Sequence, residues 1–186
     1  MPPGRTRGQA TMGVVRLIAL AAVALLLAAA EPAQPELEHK VRAAFLLNFT
    51  KFVDWPEDAV GNPEIPFTIC VIGKDPVGRA LDDVVGGEAV NGRRLVVRRF
   101  DEVPARGTCQ LAYFDASTKG IPQMLEQLGS GVLTVGEGES FVKSGGMIAF
   151  LIQARRVRFD INLAAADSAG LRLSSKLLSV AREVKK

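Results

Sequence analysis

Hydrolytic chemistry needs a general base beside a nucleophile, and His39 is the only histidine in the chain. A Ser-His-Asp triad would have to draw on that imidazole from the outer end of an amphipathic helix, so His39 is expected to be a surface residue. Gly129-Ser130-Gly131 lacks the G-x-S-x-G spacing of a nucleophile elbow, and Ser174-Ser175-Lys176 lacks the S-x-x-K spacing that lets a lysine activate a serine. One histidine and two cysteines far apart in sequence do not make a zinc set, and no acidic loop matches a calcium-binding pattern. The chain is therefore expected to have no catalytic residue, no metal and no cofactor, and to work by binding.

Groups able to bind a partner are better supplied. Arg93-Arg94, Arg98-Arg99 and Arg155-Arg156 with Arg158 fall on alternating, strand-like patterns. They are expected as solvated strand faces, one of which can line an anion or partner site. Gly136-Glu137-Gly138 and Gly145-Gly146 lie beside strand ends, where turn N–H groups can meet an anion. Glu137 and Glu139 disfavour phosphate there, neither stretch matches the dinucleotide fingerprint or the P-loop, and tight turns are the expected role. Arg98, Arg158, Gly145 and Gly146 are the expected ligand or partner contacts. Asp115 ends one strand and Thr134 is placed near the end of the next, as in sheets that carry phosphoacceptor chemistry. No acidic pair closes the first strand and no lysine closes Met147 to Ile152, so that chemistry is not expected.

These residues sit in a chain built for export. Arg5, Arg7 and Arg16 precede an apolar run from Leu17 to Leu27, followed by Ala28-Ala29-Ala30. This is the pattern of a secretory signal peptide over residues 1–30, cut before Glu31, and its apolar run is shorter than the roughly 20 residues that span a bilayer. The leader holds three of the 23 basic residues and none of the 20 acidic ones, so the remaining 31–186 is charge-balanced and the basic pI gives no support for nucleic-acid binding. No later segment is expected to insert directly into the membrane. The remainder fits one domain. Cys70 and Cys109 are its only cysteines, and in an oxidising compartment a bridge between them is the default, although spacing does not fix whether their Cα atoms approach closely enough.

The elements follow from periodicity. Leu37, Val41, Ala44, Phe45, Asn48, Phe49 and Phe52 recur at helical steps, and Asp54-Trp55-Pro56 ends the helix. Its broad aromatic face is expected to pack in the core, with a homodimer contact as the alternative use. Phe67 to Ile72, Leu95 to Phe100, Gln110 to Phe114, Val132 to Val135, Met147 to Ile152 and Val157 to Leu163 read as strands. Helices are expected after an Asp75 N-cap with Pro76 at the first position, over Lys119 to Leu128, as one turn over Ser140 to Lys143, and from Ser174 to Val184. Strands alternating with helices predict an α/β three-layer sandwich with a mostly parallel central sheet and a C-terminal antiparallel hairpin.

Taken in order, Lys40 to Pro56, Phe67 to Gly73, Val132 to Gly136, Gly145 to Ile148, Phe159 to Asn162 and Leu173 to Leu178 resemble the YfiR-like family of exported proteins, over about residues 40 to 182. The resemblance implies a periplasmic α/β protein, often a homodimer. In the best-understood members it is a repressor that docks on the periplasmic sensor region of a membrane-bound diguanylate cyclase of the YfiN type. Cyclic-di-GMP and biofilm formation then stay low. The resemblance also implies that Cys70 and Cys109 form a structural disulfide, while the second cysteine pair of some members has no counterpart here. The competing expectation is a periplasmic receptor for a small anion or metabolite, feeding another signalling partner.

Overall fold

In the computed structural model, which describes residues 34–56, 62 and 64–186, the chain alternates strands and helices around one twisted sheet. The expected leader, residues 1–30, lies outside the described residues. The long opening helix α1 (Gln34–Phe52) runs into a two-residue strand β1 (Val53–Asp54). The order then continues β2 (Phe67–Ile72), α2 (Gly78–Val85), β3 (Ala89–Val90), β4 (Arg93–Phe100), β5 (Leu111–Phe114), α3 (Ile121–Leu128) and β6 (Leu133–Glu137). It closes with α4 (Glu139–Lys143), β7 (Ile148–Gln153), β8 (Arg156–Asn162), α5 (Leu163–Ser168), β9 (Arg172–Leu173), α6 (Ser175–Val180) and β10 (Glu183–Lys185).

The eight-stranded sheet has the order β10-β8-β7-β6-β5-β2-β4-β3. Its centre, β4-β2-β5-β6-β7, is parallel throughout, and β8 returns antiparallel to β7 as the expected hairpin. Reading those five parallel strands by sequence gives 2-1-3-4-5, a doubly wound order that reverses between β2 and β5.

Burial follows the pleat. Every residue of β2 is buried because helices cover both sheet faces. Phe67, Ile69 and Val71 point into a core shared with Ala43, Leu46 and Phe49 of α1, Leu81 and Val85 of α2, Ala166 of α5 and Leu177 of α6. Cys70 and Ile72 point the other way, with Leu128 of α3 and with Phe141 and Val142 of α4. Three layers result, as the alternation predicts.

Local details differ from the periodicity at four places. Helix α2 begins at Gly78 and not at Pro76, and Asp75 stays outside it, accepting the Gly78 N–H at 2.7 Å and an Arg99 Nε–H at 2.6 Å. Thr134 lies near the start of β6, where its buried hydroxyl accepts the Met147 N–H at 3.1 Å. The expected strand end at Leu163 is instead the start of α5, capped by Asn162, whose side chain accepts from the Ala165 N–H. The expected final helix stops at Val180, and Glu183–Lys185 becomes a strand parallel to β8. The reason is a tether: Asp160 is 1% exposed, and Arg182 pairs with it at 2.7 Å, pulling the chain back onto the sheet edge.

The β7–β8 turn is Ala154-Arg155, with φ of 49° and 60°. A two-residue hairpin loop of this hand asks for Asn-Gly, because left-handed backbone crowds a Cβ. Ala154→Asn with Arg155→Gly is expected to raise stability by about 1–2 kcal/mol, read as a higher urea midpoint at unchanged slope. An unchanged or lower midpoint would show the turn to be relaxed already.

Candidate functional site

Helices α1 and α6 lie on the same sheet face and leave a groove between them. It encloses about 230 Å³ and is lined by Phe45, Asn48, Phe49, Phe52, Leu177 and Val180, with Lys176 at its edge. The α1 wall arises because its apolar stripe is wider than the strands beneath can cover. Phe49 is fully buried against Phe150 and Phe159, with ring centroids 5.7 and 5.2 Å away, whereas Phe52 remains 37% exposed. The α6 wall is set by Ser174, whose hydroxyl accepts the Leu177 N–H at 3.3 Å. On this wall Leu177 is buried and Val180 is 58% exposed.

The two walls are joined at one end. Val53 and Asp54 of β1 pair with Leu173 and Arg172 of β9, and the Ser174 N–H donates to the Phe52 carbonyl at 3.0 Å. At the far side the Arg182–Asp160 pair holds the chain that leaves α6. Beneath α1, Arg42 meets the Glu137 carboxylate at 3.5 Å, and that carboxylate also accepts the Tyr113 hydroxyl. Burial, and then the neighbouring carboxylate of Glu137, push the Tyr113 phenol far above its ordinary range, so it stays a donor. This buried polar cluster links α1 to β5 and β6. The groove offers aromatic and aliphatic surface with one rim ammonium and no nucleophile paired with a base. Such a lining is suited to apolar groups.

Doubly wound sheets bind ligands at the crevice where strand order reverses, here between β2 and β5. Asp115 follows β5 there, and its carboxylate accepts the Ser117 N–H, the Ser117 hydroxyl and the Thr118 hydroxyl at 2.8 to 3.0 Å. Partial burial acts to raise the Asp115 pKa, but those three hydrogen bonds outweigh it and hold the carboxyl below its usual value. The neighbouring cavity is about 40 Å³, room for about one water. A larger cleft of about 420 Å³ opens at the other end of the strands, beside Pro56, Cys109, Ser130, Gly131, Ser168 and Gly170, and among the described residues no charged side chain lines it.

Cys70 and Cys109 are joined, with S–S 2.01 Å and Cα–Cα 5.7 Å. The bridge ties β2 to the chain entering β5, next to their parallel ladder. The four other expected contacts are not brought together. Arg98 lies on β4, stacked over Phe100 at 5.3 Å, and Arg158 lies on β8. Five strand spacings separate β4 from β8, about 24 Å at about 4.8 Å each. Gly145 is an exposed turn residue with φ of 97°, and Gly146 packs beneath the Phe141 ring. The α6 wall of the groove was missed by periodicity, which reads Leu177 and Val180 as one more helix face and does not say which part is covered. His39 is half-buried near the start of α1.

Residues 39–182 match the family model described as YfiR/HmsC-like, and this span includes both cysteines, both groove walls and the Arg182 tether. The chain belongs to the YfiR/HmsC-like family. The family is one of regulatory proteins rather than enzymes. A solved structure of a conserved domain protein from Vibrio cholerae O1 biovar eltor is similar at 13% identity with a TM-score of 0.45. That likeness covers 63% of this chain and 54% of the other, so the chain spans about half the length of that protein. No curated protein matches at a significant level. No helix among the described residues is long and apolar enough to cross a membrane. Together with the disulfide, family membership indicates an extracytoplasmic location for this YfiR/HmsC-like domain.

Proposed function

We propose that this YfiR/HmsC-like protein is exported to the periplasm, loses residues 1–30, and works as a single domain, 31–186. In this reading it docks on the periplasmic sensor region of a membrane-bound diguanylate cyclase and holds the enzyme inactive. Cyclic-di-GMP and biofilm formation stay low as a result. The observation that carries the reading is the family match over residues 39–182. The groove between α1 and α6 supplies a surface suited to apolar side chains of the sensor region, with Lys176 at its rim for a carboxylate.

Inhibition then needs differential binding alone. A partner that prefers the inactive sensor conformation shifts the equilibrium by the ratio of its two affinities. Moving it from 1:99 to 99:1 takes about 10⁴-fold preference, roughly 5.5 kcal/mol, within reach of a few buried aromatic anchors.

Deleting the gene is expected to raise cellular cyclic-di-GMP, and the exported form alone, not a leaderless one, restores the low level. Phe52→Glu with Val180→Glu is expected to fail in that restoration when compared at equal amounts of folded protein, since Val180 is 58% and Phe52 37% exposed. An unchanged cyclic-di-GMP level on deletion would overturn the cyclase reading. Restoration by the double variant would move the docking surface elsewhere, and a shift from dimer to monomer in light scattering would assign the groove to a second copy.

A second reading has one observation in its favour: the 420 Å³ cleft is large enough for a small metabolite. Its uncharged lining suits a neutral polar ligand better than the anion expected from Arg98 and Arg158. Thermal stabilisation by such a ligand, without a protein partner, would favour it.

A further inference from the structure

The β7–β8 hairpin takes no part in the groove, and its distal half leaves the sheet. Strand β6 pairs with β7 only as far as Phe150, and β10 pairs with β8 only over Asp160 to Asn162. From Leu151 to Arg158 the two strands therefore pair with each other alone, and the tip projects. This tip carries Arg155, Arg156 and Arg158, all exposed. Among the described residues, Arg42, Arg99 and Arg182 are paired with carboxylates, and Arg106 donates to the Glu126 and Gln127 carbonyls. The three hairpin arginines, like Arg79, Arg94 and Arg172, have no such partner among the described residues, but here three lie within four residues, and no acidic residue occurs from Ile148 to Phe159. Ile152 stands beside them, 47% exposed.

The arrangement has a direction. Strand alternation puts Arg156 and Arg158 on one face of the ribbon and Ile152 on the other, beyond its partner Val157, which is buried in the core, with Arg155 at the apex. Arg155 also holds a left-handed backbone that a glycine would adopt without strain, so the tip keeps a guanidinium where its own geometry disfavours one.

We propose that this projecting hairpin is a contact for an anionic phospholipid surface, its three arginines meeting headgroup phosphates and Ile152 lying along the interface. Guanidinium forks match phosphate oxygens in pairs, and a lipid plane supplies many such groups without fixed spacing. Headgroups close around a tip charged on one face and at its apex and apolar on the other. A rigid acidic protein surface would engage one of those faces and leave Ile152 in water. The contact is peripheral, and it stands independently of the cyclase reading.

The test is co-sedimentation of the purified protein with phosphatidylcholine vesicles made with and without phosphatidylglycerol. Wild type is expected to sediment with the anionic vesicles only, and to be released at high salt, where the Debye length falls to about 3 Å. The variant Arg155→Gln, Arg156→Gln, Arg158→Gln is expected to lose on the order of a hundredfold in partitioning, at about fivefold per arginine. Its melting curve should overlay that of wild type, because the three side chains support no contact in the fold. Ile152→Ser should weaken binding further without altering the salt response. Equal partitioning of wild type and the arginine variant, or no binding to anionic vesicles, overturns the proposal. Loss of cellular cyclase repression in the arginine variant, when wild type itself binds no anionic vesicles, would make the hairpin a protein contact and also overturn it.

Discussion

Replacing Cys70 and Cys109 together by alanine is expected to lower the unfolding free energy by about 2–4 kcal/mol, seen as a fall in the urea midpoint. The bridge closes a sequence separation of 39 residues, a loop that contains α2, β3 and all of β4. In the chain-entropy model, cross-linking a loop of that length restricts the unfolded chain by about 4 kcal/mol, and measured values usually fall below the model. Both sulfurs are buried among Ile72, Phe114 and Val132, so the lost packing adds to the lost constraint. Alanine is the cleaner choice, because Cys70→Ser would also bury an unmatched hydroxyl. If the domain acts as a repressor, the double alanine variant and Cys70→Ser should both raise cyclic-di-GMP through loss of folded protein. Identical urea midpoints for wild type and double variant would show that the bridge adds nothing, and would remove the basis for any loss of repression.

Gly146→Ala is expected to cost about 1–3 kcal/mol, the usual range for forcing an extra carbon into a packed site. A Cβ at Gly146 would stand 2.1 Å from a ring carbon of Phe141, and one at Gly136 would stand 2.3 Å from the same ring. Phe141 is 3% exposed and packs against Phe114 at 5.7 Å, so the ring has no free direction in which to retreat. The two glycines thus form a slot on adjacent chain segments that seats α4 on the sheet. The expected signature is non-additivity. Phe141→Leu alone destabilises, but in the Gly146→Ala background it should recover part of the loss, because the smaller side chain makes room for the new methyl. Additive costs in that cycle would mean that the ring and the methyl do not compete for space.

Much of the fold was legible because the signals are local. The buried run Phe67–Ile72, the alternation of short strands with helices, and the hairpin after Met147 are each written in adjacent residues, and the sheet follows them. The errors lie where a distant partner outweighs local periodicity. Leu177, Val180 and Val184 are consistent with one helix, yet the chain straightens after Val180 because Arg182 meets Asp160, 22 residues earlier. Likewise Arg98 and Arg158 look alike as basic strand residues, and only strand order sets them five spacings apart.

By itself the sequence determined most of the central strands and helices through periodicity, the family through the resemblance of its ordered motifs, and the presence of two cysteines in a chain patterned for export, because these signals need no knowledge of what lies across the sheet. Tertiary structure alone decided that Cys70 and Cys109 come within 5.7 Å, that Asp115 turns back on Ser117 and Thr118, and that Phe52 and Val180 line one open groove. The physical reason is that pairing and burial are non-local. A side chain's spacing names its face, but only the packed neighbours decide whether that face is covered.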